Sequence, residues 1–557
     1  MSSKKTRSGL RLWPAYLILV LSAGFFVWAW ASPDLPLPMS RVTVSIIATA
    51  CTLILLLVWW LLLSRAPWYW RLAVLAGVVA LGWAAGRFLE MRGVSGDLVP
   101  QVAWRTSPTP APPEILPSPP PLAEPTPAPP VDVEEAVRAE TEGGVEPSPS
   151  PTEADEVKPE LEGSVPVDSR GFPQFLGPNR NARLTDRHLV SGWDERPPVE
   201  VWRHSMGTGW SGFVVSNGLA VTQEQRDGRE HVVAYDLDTG RLEWSHKGGP
   251  GYEDVMTGNG PRATPTLDGG RVYAFGVRGV LSVLDLQTGR LLFKKNVVLE
   301  NSGRSPDHGV AASPLVVDGS VIVVAGGPGG RSLVAYDAET GELRWSGGDD
   351  GAGYSSPIVA TLAGVRQIVV FNHGGLTGHD PATGEVLWQD PWPDRDEKVA
   401  QPVILGDDHV FASMGYGIGS RMVRIVRGSG GSLRADVLWR SRRLKAKFTQ
   451  VVEHGGFLYG LDEGVMVCLD PETGERRWKR GRYGHGQVLL VDDVLLVQTE
   501  DGEVVLIDPN PEELTEIARF PAIEGKAWAT PALAGDLLIV RSDIEAACYR
   551  LPTESGA

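Results

Sequence analysis

Apolar and polar positions follow two regimes along this chain. Before residue 92 they form long unbroken apolar runs, Leu12 to Ala31, Val42 to Leu63 and Trp68 to Leu89. Each is long enough for a bilayer-crossing helix, which needs about 20 apolar residues. Beyond residue 170 short apolar stretches alternate with polar positions, the period of half-buried strands. Stretches such as His231-Val-Val-Ala-Tyr235 and Arg241-Leu-Glu-Trp244 flank a turn, and both the turn and its flanks recur.

The recurring turn is Asp-x-x-Thr-Gly-x-x-x-Trp. It reads Asp236 to Gly240 with Trp244, Asp337 to Gly341 with Trp345, Asp380 to Gly384 with Trp388, and Asp470 to Gly474 with Trp478. A variant runs from Asp285 to Gly289 and ends in Phe293. Asp at a turn accepts bonds from N–H groups further on, and Gly supplies the positive φ that closes the loop. An aromatic four positions later falls on the outermost strand, where a large ring suits the joint between two sheets. Structural packing is therefore the expected role of these tryptophans.

Self-similarity at this period, built from short strands, predicts a β-propeller. The aromatic anchors Trp202, Trp244, Phe293, Trp345, Trp388, Trp439, Trp478 and Phe520 are spaced 39 to 52 residues apart. After Phe520 the chain offers three strand-like runs, Ala529 to Leu533, Leu537 to Val540 and Glu545 to Leu551, and the run Val199 to Trp202 stands alone upstream. Pairing the two ends completes an eighth blade and removes both open sheet edges. The expected fold is all-β: an eight-bladed β-propeller of four-stranded antiparallel blades, preceded by three transmembrane α-helices and a Pro-rich disordered linker. Seven blades is the alternative count. The domain boundaries read as 1–93 for the membrane anchor, 94–168 for the linker and 169–557 for the propeller.

Charge places the parts. Lys4, Lys5, Arg7 and Arg11 precede the first run, and Arg65 and Arg71 lie between the second and third. The positive-inside bias puts the N-terminus in the cytoplasm and the ring outside, on a bacterial inner membrane facing the periplasm. From Ser107 to Pro130, 12 of 24 residues are proline, which favours extended polyproline II. From Val131 to Gly163, 11 acidic residues face only Arg138 and Lys158, so more than half of the chain's net −16 lies there. This linker is expected to be a stiff stalk holding the ring away from the membrane. A partner's aromatic groove is a second use for such a Pro-rich segment.

The acidic balance and the lack of a basic stripe exclude nucleic acid as a partner class. No haem-attachment, zinc-helix or phosphate-loop motif is present, so no metal ligand and no catalytic residue is nominated. Cys468 and Cys548 fall in different blades, and the sequence leaves their pairing open. Ala263-Thr-Pro, Ala312-Ser-Pro, Ser355-Ser-Pro and Ala529-Thr-Pro each begin a blade, where the crowded axis demands small residues and Pro is tolerated. Larger neighbours, Arg262, His308, Tyr354, Gln401, Gln450 and Trp528, are the candidate lining of an axial funnel that binds a ligand or peptide. Asp307 beside His308 is disfavoured as an acid–base pair, because adjacent strand residues point to opposite faces.

These residues resemble a known group. The repeat is similar to that of pyrroloquinoline-quinone-type eight-bladed propellers, which include quinoprotein dehydrogenases and the scaffold lipoprotein of the outer-membrane barrel-assembly machinery. The phrase Phe172-Pro-Gln-Phe175-Leu-Gly177-Pro178-Asn-Arg180 and the segments at Arg262, His308, Tyr354 and Trp528 carry the closer similarity, over about residues 170 to 551. The dehydrogenase side of the resemblance implies a quinone stacked on a Trp floor under a disulfide of adjacent cysteines, with calcium held by carboxylate and amide oxygens. This chain has no adjacent cysteines. The expectation is therefore a membrane-tethered, extracytoplasmic ring without cofactor, binding an envelope protein or peptide as a scaffold. The alternative is a quinoprotein oxidoreductase, with pyrroloquinoline quinone and calcium, acting on an alcohol or sugar.

Overall fold

The computed structural model describes residues 10–31, 41–96, 99–105, 171–185, 187, 189–190, 192–392 and 397–553. The Pro-rich and acidic linker, residues 106–170, lies outside the described residues.

Three helices open the chain: α1 Trp13–Ala31, α2 Arg41–Leu62 and α3 Trp68–Phe88. All three are long and apolar enough to cross a membrane. Within the first pair, the Ser22 and Thr52 hydroxyls lie 2.8 Å apart and the Trp59 indole donates to the Arg11 carbonyl. After α3 the chain turns at once into a hairpin of β1 Leu89–Val94 and β2 Pro100–Trp104. The hairpin straddles the boundary drawn from the sequence at residue 93.

Eight sheets follow, each built on an antiparallel meander of four strands that runs from the axis outwards, the seventh carrying one further short parallel strand on its inner edge. Seven are continuous in sequence, and their outermost strands end at Pro250, Asn296, Gly347, Pro391, Ser441, Arg482 and Pro521. The eighth joins both ends of the domain: Val199–Ser205 pairs with Glu545–Arg550, with Trp202 opposite Cys548. This closure leaves no blade open to slip or pair elsewhere. Eight blades, the ring closed by strand exchange, is the count read from the aromatic spacing.

The signature turn explains the seam between blades. Asp236 Oδ1 accepts from the N–H and the hydroxyl of Thr239, at 2.8 and 2.6 Å, and Asp285, Asp337, Asp380 and Asp470 repeat the N–H bond. The turn Gly sits at positive φ, for example +69° at Gly240. A side chain there would strike the aromatic of the preceding blade: Trp202 at Gly240, Trp244 at Gly289, Phe293 at Gly341, Trp345 at Gly384 and Trp439 at Gly474. The indole N–H then caps the same turn, as in Trp202 to Leu237 O (2.8 Å), Trp345 to Pro381 O and Trp439 to Pro471 O (both 2.9 Å). Turn and tryptophan are thus the two halves of one joint. The fifth blade lacks the turn, so Trp388 has nothing to dock on and donates instead to Gln367 of its own blade.

The Phe172–Arg180 phrase forms a plug. Phe172 pairs with Val215 of the first blade, and the Pro173 carbonyl accepts from Leu267 of the second. Arg180 is buried and donates to the Ser313 and Pro314 carbonyls of the third. The chain then reaches the innermost strand of the seventh blade, where Arg183–Leu184 pairs in parallel with Leu490 and Val491. It therefore ties the first three blades to the seventh, with Phe175 in the cavity wall.

Candidate functional site

The axial cavity is built on a belt of innermost residues that bond from blade to blade. Gly212 N–H donates to Thr264 Oγ1, Thr264 N–H to Ser313 Oγ, Ser313 N–H to Ser356 Oγ and Ser356 N–H to Gln401 Oε1, at 2.9 to 3.2 Å. On the far side Gln487 Nε2 bridges the Phe448 and Trp528 carbonyls. Small hydroxyl residues are needed at these positions because each must sit within bonding distance of the next blade's backbone. Arg541, wholly buried, ties the eighth blade to the first through the Gly207, Ser211 and Gln223 carbonyls. Burial lowers its guanidinium pKa to about 10, and its carbonyl partners replace the lost water.

Above the belt opens a cavity of about 420 Å³. Arg262, His308, Tyr354, Gln401, Gln450 and Trp528 all line it, so the structure gathers the six residues around one space. Their surroundings differ. Arg262 is committed to its own loop, donating to Thr257 Oγ1 and the Gly258 and Gly260 carbonyls, with its guanidinium 5.0 Å over the Tyr252 ring. Gln450 donates to the neighbouring Val451 carbonyl. Tyr354 donates nothing in this array; its hydroxyl accepts from the His308 N–H at 3.1 Å. Gln401 Nε2, buried at the wall, has no partner among the described residues, nor has the Thr449 hydroxyl beside it.

His308 Nδ1 lies 2.8 Å from Asp254 Oδ2 and its Nε2 lies 3.8 Å from Glu397. Its carboxylate partner is thus Asp254, from the loop of the first blade; Asp307 instead offers its carbonyl to the Tyr252 hydroxyl. Burial pushes the Asp254 carboxyl up, but bonds from Thr257, His308 and the Met256 N–H outweigh it and hold the pKa at about 2. The pair is a fixed rim contact rather than a poised base.

The opposite wall is aromatic. Trp528 packs on Trp210 at 4.9 Å and on Phe448 at 4.8 Å, both rings tilted. Lys526 Nζ sits 4.1 Å from the centre of the Trp528 ring, and Lys447 Nζ 5.2 Å from that of Tyr416. Burial lowers the Lys526 pKa, with Asp543 and Glu500 opposing it. Trp528 Nε1 donates to Glu500 Oε1 at 3.0 Å. Sequence reasoning found Trp528 but missed Trp210, Phe448, Lys447, Glu500 and Lys526. The only local sign was the pair Lys447-Phe448, placed before Thr449-Gln450 as Trp528 is placed before Ala529-Thr530.

The cavity's fourth boundary is the chain's own hairpin. Ser95 and Gly96, between β1 and β2, line the cavity. Gly96 N–H donates to Glu500 Oε1 at 2.7 Å, and its carbonyl accepts from Lys447 Nζ at 2.7 Å. Lys526 Nζ donates to the Val94 carbonyl at 2.9 Å. The stand-off expected of a stalk does not hold for residues 94 to 96, which touch the ring.

Radial four-stranded blades, the Asp-Thr-Gly turn locked on the preceding tryptophan, and an axial cavity define a propeller of the pyrroloquinoline-quinone repeat type. A family model described as "Outer membrane protein assembly factor BamB" matches residues 186–296 and 228–480, together more than half of the chain, and the chain belongs to that family. It is 26% identical over 334 residues to an outer membrane protein assembly factor BamB of Burkholderia pseudomallei, covering 56% of this chain and 77% of the relative. Over 127 residues it is 32% identical to the dehydrogenase subunit of a quinone alcohol dehydrogenase of Gluconacetobacter polyoxogenes, 20% of this chain and 16% of that one. Among solved structures, BamB of Moraxella catarrhalis aligns with a TM-score of 0.46 and 16% identity, over 64% of this chain and all of that chain.

Around Trp528 the residues present do not offer pyrroloquinoline quinone an open ring to stack on. A flat tricyclic quinone needs an open indole face, and here Lys526 covers Trp528 while Trp210 and Phe448 tilt across it. Among the described residues no three His, Cys, Asp or Glu converge as a metal site. Cys468 and Cys548 are separate buried thiols on the sixth and eighth blades, and burial raises them to about 11 and about 12.

Proposed function

We propose that this chain is a membrane-tethered scaffold of the cell envelope whose ring binds a protein or peptide partner in the axial funnel. The observation that carries the reading is the lining of the cavity. Gln401 and Thr449 line it beside the rings of Trp210, Tyr354, Phe448 and Trp528, and Gln401 Nε2 and the Thr449 hydroxyl are buried in that wall without a partner among the described residues. Amphipathic rings next to amide and hydroxyl groups still lacking a partner suit the alternating apolar and carbonyl groups of a polypeptide. The three apolar helices and their basic flanks support an inner-membrane anchor with a cytoplasmic N-terminus and an extracytoplasmic ring. Kinship with an assembly factor named for the outer membrane supports an envelope partner.

The test sets this against redox catalysis. Pyrroloquinoline quinone with calcium is titrated into the full chain in detergent, with dye reduction followed over a panel of alcohols and sugars. The expected result is no saturable quenching of tryptophan fluorescence and no turnover. Micromolar binding with substrate-dependent dye reduction overturns the scaffold reading.

A further inference from the structure

The hairpin tip meets the ring in a way that packing alone does not require. Among the described residues its three polar contacts with the ring are made by the tip's backbone, and each is answered by a charged side chain of the ring: Glu500 takes the Gly96 N–H, Lys447 the Gly96 carbonyl and Lys526 the Val94 carbonyl. Lys447 and Lys526 come from two different connections between blades and Glu500 from a turn within the seventh blade, so the ring, not the hairpin, sets their spacing. Glu500 is itself oriented by the His485 N–H at 3.0 Å and by the Trp528 indole, leaving Oε1 directed at the tip. The seat also demands glycine. A β-carbon at position 96 would overlap the His485 ring, whereas at position 93 the backbone conformation rather than space selects glycine. Gly93 has φ +124°, a conformation that other residues rarely adopt. The Ser95 N–H closes the turn on the Val99 carbonyl at 2.9 Å.

We propose that the funnel is a receptor for a glycine-bearing polypeptide turn, and that the hairpin tip around Gly96 is its resident occupant, held in cis. Recognition is of backbone: one carboxylate for an N–H and two ammonium groups for carbonyls, with the aromatic wall excluding water around them. Such a site is indifferent to most side chains and selective for a turn with no β-carbon at the seated position. Being joined to the ring, the tip has a high effective concentration, so a partner's turn enters only where the tip has left. The seated tip stands on these contacts alone; the entry of a partner rests on the scaffold reading above.

The experiment uses the full chain in nanodiscs and a labelled cyclic peptide with the sequence of residues 92 to 101. Gly96→Arg ejects the tip without touching any ring residue. Hydrogen exchange at the Ser95 and Gly96 amides is expected to be at least tenfold slower in the parent chain than in Gly96→Arg. The peptide is expected to bind the Gly96→Arg chain at least tenfold more tightly than the parent, and Lys447→Met added to that variant is expected to weaken it several-fold. Equal exchange in the two chains overturns the proposal, and so does slow exchange in the parent with no peptide binding to the Gly96→Arg chain. Neither of those results bears on the quinone titration, which tests the scaffold reading separately.

Discussion

Trp244 donates its indole N–H to the carbonyl of Leu286 in the next blade, 2.9 Å away. The same ring lies where a side chain on Gly289 would have to go, 2.6 Å from its β-carbon. One residue type at the edge of each blade therefore reads one turn on its neighbour, and the ring is held by repetition of that contact.

Gly289 and Gly270 separate conformation from contact. Both have positive φ, +67° and +73°, but a β-carbon at Gly270 meets nothing within 4 Å. Gly270→Ala is expected to cost about 1 kcal/mol, the left-handed penalty alone. Gly289→Ala adds a collision with Trp244 and is expected to cost at least about 2 kcal/mol. Urea denaturation of the two variants side by side measures the difference.

Trp388 is the odd member of the series. Trp388→Phe leaves the buried Gln367 carbonyl oxygen without its indole donor, expected to cost about 1–3 kcal/mol beyond the lost ring area. Trp244→Phe leaves a turn carbonyl at a partly exposed edge and is expected to cost less, as Phe293 already does the same task at the next joint. The order of the two denaturation midpoints checks this, and a Trp244→Phe variant less stable than Trp388→Phe contradicts it.

Ring closure rests on one strand exchange. Residues Glu545–Arg550 hold Val199–Ser205, reinforced by Arg203 to Glu545 at 2.5 Å and to the Tyr549 hydroxyl at 2.5 Å. Truncation after Ser542 is expected to leave Trp202 and two sheet edges open and to yield oligomers. Size-exclusion chromatography reads the outcome; a monomeric, protease-resistant truncated chain contradicts the closure account.

Acid should act first at the rim of the funnel. The Asp254 carboxyl is held at about 2, below its ordinary range, so its contribution to stability is present above about pH 4 and is lost as pH falls through 2. Asp254→Asn is expected to lower the melting temperature at pH 6 and to flatten its fall between pH 4 and 2. An unchanged acid limb in the variant would show that Asp254 carries none of that loss.

What the sequence disclosed follows from its repeats. The period of Trp202, Trp244 and their successors, together with the lone strand at Val199, was sufficient for eight blades and for the closure. The same register brought Tyr354, Gln401 and Trp528 to one cavity, because each stands beside a small-residue segment that begins a blade. Asp254 and Lys447 lie in connections of unequal length and Glu500 in a turn inside a blade, where no signature operates, and so left no signal. The hairpin was hidden for a different reason. Its strands are short, and its contact from Gly96 to Glu500 spans 404 positions, so only the folded ring reveals it.

The central claim, a ring that binds polypeptide in its funnel, is tested most directly by photocrosslinking in native membranes. A benzophenone amino acid replaces Tyr354 at the cavity in one full-length chain and exposed Leu343 on an outer strand in another. The account predicts one discrete envelope-protein adduct from position 354, none from position 343, and loss of the adduct when Gln401→Ala and Thr449→Val remove the unpartnered donors of the wall. Equal labelling from both positions, or an adduct at 354 untouched by those substitutions, would contradict it.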